Sequence, residues 1–229
     1  RLYCANGTVT EVGQSYMEKL RNLTGVRRAR LLNGLWVASE GIIYEDFQAS
    51  IHVVPQREIP QSWARFWSVD FGFTNPFVCQ FWAVDPDGRA WLYREIYLSG
   101  RLVEDHAVRI LDLVAPKNEN GERVWTEPKP SRVLADHDAE DRETFRKHTG
   151  LTTTAARKSV SPGIQAVQSR LRPGPDGRPR LFLMEDAVDQ VDQAMRDKRK
   201  PCSTVEELPG YIWDVGAGTG TQVRSSGNS

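Results

Sequence analysis

Cysteine is scarce in this chain of 229 residues: Cys4, Cys79 and Cys202 are an odd three, with no Cys-x-x-Cys pair and no histidine at metal-finger spacing. That usage argues against a disulfide framework and a structural zinc and points to a reducing, intracellular setting, each thiol reading as a small buried hydrophobe. Long hydrophobic runs are missing as well. None approaches the ~20 residues of a membrane span, and the N-terminus lacks the basic-then-apolar pattern of a signal peptide, so a soluble chain is expected. Charge of one sign is absent too: 30 Lys and Arg offset 30 Asp and Glu. With no global field to attract nucleic acid or an anionic membrane, any polyanion must be held by local patches. The phosphate-binding Gly-x-x-x-x-Gly-Lys-[Ser/Thr] loop is also lacking, so ATP hydrolysis by this chain alone is not expected. No Asp or Glu follows Asp214.

What is present suits a globular protein: 39% hydrophobic and 26% charged residues, in a chain long enough for one domain and about half another. Residues 9–23 carry a helical pattern (Val12, Tyr16, Leu20, Leu23), followed by basic Arg27, Arg28 and Arg30 and an aromatic segment through Trp36, Tyr44 and Phe47. From Trp63 the pattern turns to strands at 66–69, 77–84 and 90–98. Asp85-Pro-Asp87-Gly88 supplies the turn of a hairpin between the last two. Helical spacing follows at Val103, Ala107, Ile110, Leu111 and Val114. Short strands at 132–135, 151–155 and 181–184 then alternate with helices, one over 139–148 stopped by Gly150 and one opened by Ser161 and Pro162, and a charged helix carrying Val188, Val191 and Met195 is expected to follow.

Three antiparallel strands followed by right-handed crossovers predict an α/β fold: a mixed five-stranded sheet flanked by helices, its first strand central and parallel to the fourth. Asp70 and Asp136 then lie side by side at the C-terminal ends of their strands, where α/β sheets place ligands. Two such carboxylates repel and raise a pKa unless a cation compensates. Mg²⁺ or Mn²⁺ takes oxygen ligands, and two such ions about 4 Å apart activate a water and stabilise the leaving oxygen of a phosphodiester. The plain alternative is that both aspartates merely terminate strands.

Trp67-Ser-Val-Asp70-Phe-Gly-Phe-Thr-Asn75-Pro76, the spacing to Val133-Leu-Ala-Asp136-His-Asp138-Ala-Glu140-Asp141-Arg142, and the upstream segments Leu23-Thr-Gly25-Val-Arg-Arg28 and Asn33-Gly-Leu-Trp36-Val-Ala-Ser-Glu40-Gly-Ile-Ile-Tyr44 resemble the large terminase subunit of tailed bacteriophages. The resemblance runs to about Trp213. It implies an RNase H-like nuclease domain that cuts double-stranded viral DNA during packaging. It also implies Asp70 and Asp136 as catalytic metal ligands in a two-metal Mg²⁺ or Mn²⁺ site, and residues 1–55 as the end of the packaging ATPase domain with its linker. Residues 56–214 become the nuclease domain and 215–229 a flexible tail. Partners implied are double-stranded DNA, the portal protein, the small terminase subunit and the ATPase domain of the full-length chain, in the cytoplasm of an infected host. The family's third acidic ligand lies beyond the segment matching Pro209-Gly-Tyr-Ile-Trp213, where this chain has no acid. A fragment, or an altered C-terminus, is the expectation.

Asp138, two residues from Asp136, is a substitute ligand or a helix cap. Glu140 and Asp141 read as first-turn acids favouring the helix dipole, and His137 as a ligand, a proton shuttle or a plain loop residue. For DNA, Arg157 and above all Lys158 sit between a strand end and a helix N-terminus. Arg170, Arg172, Arg178 and Arg180 form a second basic set, and Asn75 orients substrate or only makes a turn. Ile212-Trp-Asp214-Val-Gly216-Ala-Gly218-Thr-Gly220 matches the glycine-rich loop of S-adenosylmethionine methyltransferases, with too little chain after it for a cofactor site. Two other functions stay open: a catalytically incomplete module contacting DNA or the portal, and another RNase H-like nuclease such as a junction resolvase.

Overall fold

The computed structural model describes Thr10, Gln14 and residues 42–156, 159–214 and 222–225. Two compact units divide the chain, Ala49–Glu207 and a second formed by Arg1–Gln48 with Leu208–Ser229. Among the described residues no helix is long and apolar enough to cross a membrane.

The larger unit opens with α1 (Ala49–His52) and β1 (Val53–Val54), followed by the meander β2 (Ala64–Asp70), β3 (Phe77–Val84) and β4 (Ala90–Leu98). At the hairpin turn Asp85 Oδ1 accepts from the N–H groups of Asp87 and Arg89, and Gly88 takes a φ of 75°, a left-handed value that suits glycine. Then come α2 (Val103–Val114), β5 (Arg132–Ala135), α3 (Ala139–Thr149), β6 (Thr153–Ala155), α4 (Val160–Leu171), β7 (Leu181–Met184), α5 (Gln193–Asp197) and α6 (Thr204–Glu207). The sheet order is β1-β7-β4-β3-β2-β5-β6. The expected five-strand arrangement is there, β2 lying between antiparallel β3 and parallel β5. Two further parallel strands, β7 on β4 and β1 on β7, extend it to seven.

Strand alternation sorts the side chains onto two faces. One carries Trp67, Phe77, Cys79 and Phe81, all fully buried, and α2 covers it, with the His106 ring stacked on Phe77 at 4.0 Å. Both His106 ring nitrogens are buried without a hydrogen-bond partner, and burial pushes the imidazole down to about 4, with Arg101 adding to the shift. On the opposite face Tyr97 and Val78 pack with Met195 and Cys202. Cys79 and Cys202 are free, buried thiols, as their scarcity suggested; Cys4 lies outside the described residues.

Local predictions shift in two places. Helix α4 starts at Val160 with Ser159 as N-cap, so Pro162 occupies its third position. That is tolerated because the first helical N–H groups have no intrahelical partner. Val188 and Val191 are not on a helix: Asp192 caps the short α5, and Val188 makes a parallel bridge to Glu95, where the backbone groups of Glu95 bond Ala187 and Asp189. Of the helix expected over 9–23 only the bond from Gln14 N–H to Thr10 O falls within the described residues.

In the second unit β8 (Tyr211–Asp214) pairs antiparallel with β9 (Gln222–Ser225). The Ile43 N–H donates to Tyr211 O at 2.8 Å, and the Tyr44 and Tyr211 rings stack at 5.5 Å. Within the segment read as a flexible tail, residues 222–225 are therefore a strand; 215–221 and 226–229 lie outside the described residues.

Candidate active site

Parallel pairing of β2 with β5 matches Val69 with Ala135, so Asp70 and Asp136 leave adjacent strands at the same level, on strands about 4.8 Å apart. The Asp70 carboxyl is raised above its ordinary range, first by desolvation at the strand end and second by the Asp136 charge. Asp136 keeps 65% of its side chain exposed. Its Oδ1 accepts from the His137 N–H at 2.6 Å and lies 3.2 Å from His137 Nδ1, which orients the carboxylate. Two neighbouring carboxylates at adjacent strand ends are a cation site in outline.

Asp138 is directed elsewhere. Its Oδ1 accepts from the N–H groups of Glu140 and Asp141, both at 3.0 Å, as the N-cap of α3. Glu140 and Asp141 occupy the first turn of that helix, and desolvation, then the Asp138 and Glu140 charges, raises the Asp141 carboxyl. Among the described residues no group of three or more His, Cys, Asp and Glu side chains is placed to hold a metal. Two carboxylates suit a single Mg²⁺ or Mn²⁺, which fills its remaining positions with water and substrate phosphate oxygens. The expected two-ion set lacks its further ligand among those residues.

Asn75 is exposed in the loop after Asp70. That loop is tight: a Cβ on Gly72 would meet the carbonyl oxygens of Asn75 and Pro76 at 2.6 Å. Arg157 and Lys158, next but one after β6 in the sequence, lie outside the described residues. The second basic set is elsewhere. Arg180 precedes β7, whose Leu181 pairs with Ala90 at the start of β4, and Arg170 reaches Gly88 O in the hairpin turn. This is the end where β2 begins, about 20 Å from Asp70 at ~3.3 Å per residue, and Arg180 is neutralised by Asp176 at 2.8 Å.

A polar row that the sequence reading passed over crosses the sheet on the Asp70 face. Ser68 Oγ donates to Gln80 Oε1 at 2.8 Å and Gln80 Nε2 donates to Thr204 Oγ1 at 2.6 Å. The Thr204 hydroxyl and N–H in turn donate to Glu95, which is 1% exposed. Ser68, Gln80 and Glu95 are register partners. The signal was a polar residue at matching positions of three apolar strands, legible only once register is known.

The architecture is an α/β fold built on a mixed seven-stranded sheet, with the paired aspartates where β2 meets β5. No family model matches the sequence, and no curated protein matches it. Among solved structures, the large terminase from a thermophilic bacteriophage, in complex with ADP, is similar at a TM-score of 0.54 and 19% identity, over 90% of this chain and 45% of that one. The P22 large terminase nuclease domain matches at 0.45 and 14%, over 62% of this chain and 72% of that domain. The large terminase nuclease of thermophilic phage G20c with bound cobalt matches at 0.49 and 12%, over 82% and 90%. The first likeness shows a shared fold; the other two, below 0.5, add no weight. This chain spans about half the length of the ADP-bound terminase.

Proposed function

We propose that this chain is the nuclease region of a large terminase subunit, a divalent-metal-dependent endonuclease that cuts double-stranded viral DNA during genome packaging. The observation that carries the reading is the Asp70 and Asp136 pair at the ends of parallel, in-register strands, on a fold shared with a large terminase. The two carboxylates would hold Mg²⁺ or Mn²⁺, which when bound supplies an activated water and charge stabilisation at the leaving oxygen. His137, through its N–H on Asp136 Oδ1, would fix how that carboxylate faces the metal. Asn75 would orient the substrate, and Lys158 with Arg157 would meet its phosphates. On this reading residues 1–55 are the end of the ATPase domain and its linker and 56–214 the nuclease domain. Portal protein and small subunit are the partners, in the cytoplasm of the infected host.

The test is nicking of supercoiled plasmid with Mn²⁺, combined with Mn²⁺ titration of wild type and Asp136→Ala. Cleavage and Mn²⁺ binding that both disappear in the variant support the reading; wild type that binds no Mn²⁺ ends it. A second reading, a catalytically incomplete module contacting DNA or the portal, is favoured by the two-carboxylate count among the described residues. Cleavage by wild type that is abolished in Asp70→Ala rejects it.

A further inference from the structure

Close to the aspartate pair stands an aromatic side chain that the core has left out. Phe73, three residues after Asp70, is 56% exposed, whereas Phe71 in the same loop packs on Phe77 and Phe145. The loop is held firmly, by the close approach at Gly72 and by the Gly100 N–H, which donates to Phe73 O at 2.7 Å. Gly100 belongs to a turn that is itself tied down: the Ser99 N–H and hydroxyl both donate to Asp192 Oδ2 at 2.7 Å. The next residue, Arg101, makes no ion pair among the described residues; its guanidinium donates to Gln190 Oε1 at 3.3 Å. The acids on either side are occupied with backbone, Asp192 on Ser99 and Asp105 on the Leu102 N–H.

An uncompensated cation and an exposed aromatic ring thus sit on two turns joined by a hydrogen bond. Residues 71–76 carry no charge, so the loop approaches a polyanion without repulsion. Three residues span at most about 11 Å, which puts Phe73 within about three nucleotide steps, at ~3.4 Å each, of a phosphate held at Asp70. Aromatic faces stack on bases regardless of sequence, and apolar side chains wedge open base steps. Building on the nuclease reading above, we propose that Phe73 stacks on an opened base beside the scissile phosphate while Arg101 holds a neighbouring phosphate. Phe73 is then a substrate-positioning residue, and locally opened DNA is the preferred substrate.

The whole chain is tested in Ca²⁺, to suppress cleavage, against gapped and fully paired duplexes carrying 2-aminopurine at successive positions. Wild type is expected to change the fluorescence at one position and to bind the gapped duplex more tightly. Phe73→Ala should lose that signal and bind the gapped duplex about 5- to 100-fold more weakly, while Phe73→Trp retains both. Arg101→Ala should lower the slope of log K against log salt by about 1. Phe73→Ala that binds within twofold of wild type with an unchanged signal, while Asp70→Ala still abolishes cleavage in Mn²⁺, overturns the stacking role and leaves the nuclease reading standing. Wild type that neither binds nor cuts DNA overturns both.

Discussion

Asp138 shows how a single carboxylate divides between two tasks. Its Oδ1 satisfies two N–H groups of α3, so Asp138→Ala should cost about 1 kcal/mol of stability, the worth of an N-cap, and leave Mn²⁺ affinity within twofold. A tenfold loss of affinity by titration would make it a ligand instead. Glu95 is the opposite case, an acid with no exposure. Burial pushes its carboxyl up to about 7 from an ordinary 4.5, against the hydrogen bonds from Thr204 that pull it down. Folding therefore favours the protonated acid: the associated stability is present below about 4.5 and is lost as pH rises through about 7. Glu95→Gln keeps an acceptor for Thr204 without the charge. Its stability relative to wild type should be greater at pH 8 than at pH 5, by on the order of 2–3 kcal/mol, as read by urea unfolding at both values. A difference that does not change with pH would contradict it.

At the scale of the element, the β2–β3 loop fixes the backbone that follows Asp70. Gly72 has no room for a side chain, and the atoms it would strike are backbone oxygens that cannot rotate away. Gly72→Ala should cost about 1–3 kcal/mol and reduce Mn²⁺-dependent nicking at least tenfold, because the shift is transmitted to Asp70 two residues earlier. Full activity in that variant would show that the loop moves freely of the strand. The strands themselves were legible in the sequence, since their apolar residues and the Asp85 to Gly88 turn are local signals. Less legible were elements whose cue is ambiguous at short range. Val188 and Val191 have helical spacing, but the backbone near Val188 is claimed by Glu95, 93 positions earlier.

For the whole molecule, the unit Ala49–Glu207 holds the seven-stranded sheet and both aspartates. Limited trypsin digestion should leave a resistant core close to these bounds; early cleavage inside α2 or α3 would refute it. The opening balance of charge acquires a geography: the described Arg170 and Arg180 lie at the sheet end away from the aspartates, where Asp176 answers Arg180. The amino-acid sequence by itself determined the strand and helix order from β2 to β7, the strand-end placement of Asp70 and Asp136, and the turn chemistry, because periodicity, capping and glycine signals act over a few residues. Tertiary structure alone decided three things. These are that Asp138 caps a helix, that Ser68, Gln80 and Glu95 form one hydrogen-bonded row, and that Phe73 stays outside the core while Phe71 enters it. Each depends on register and packing between segments far apart in the chain, and no local pattern of residues carries that information.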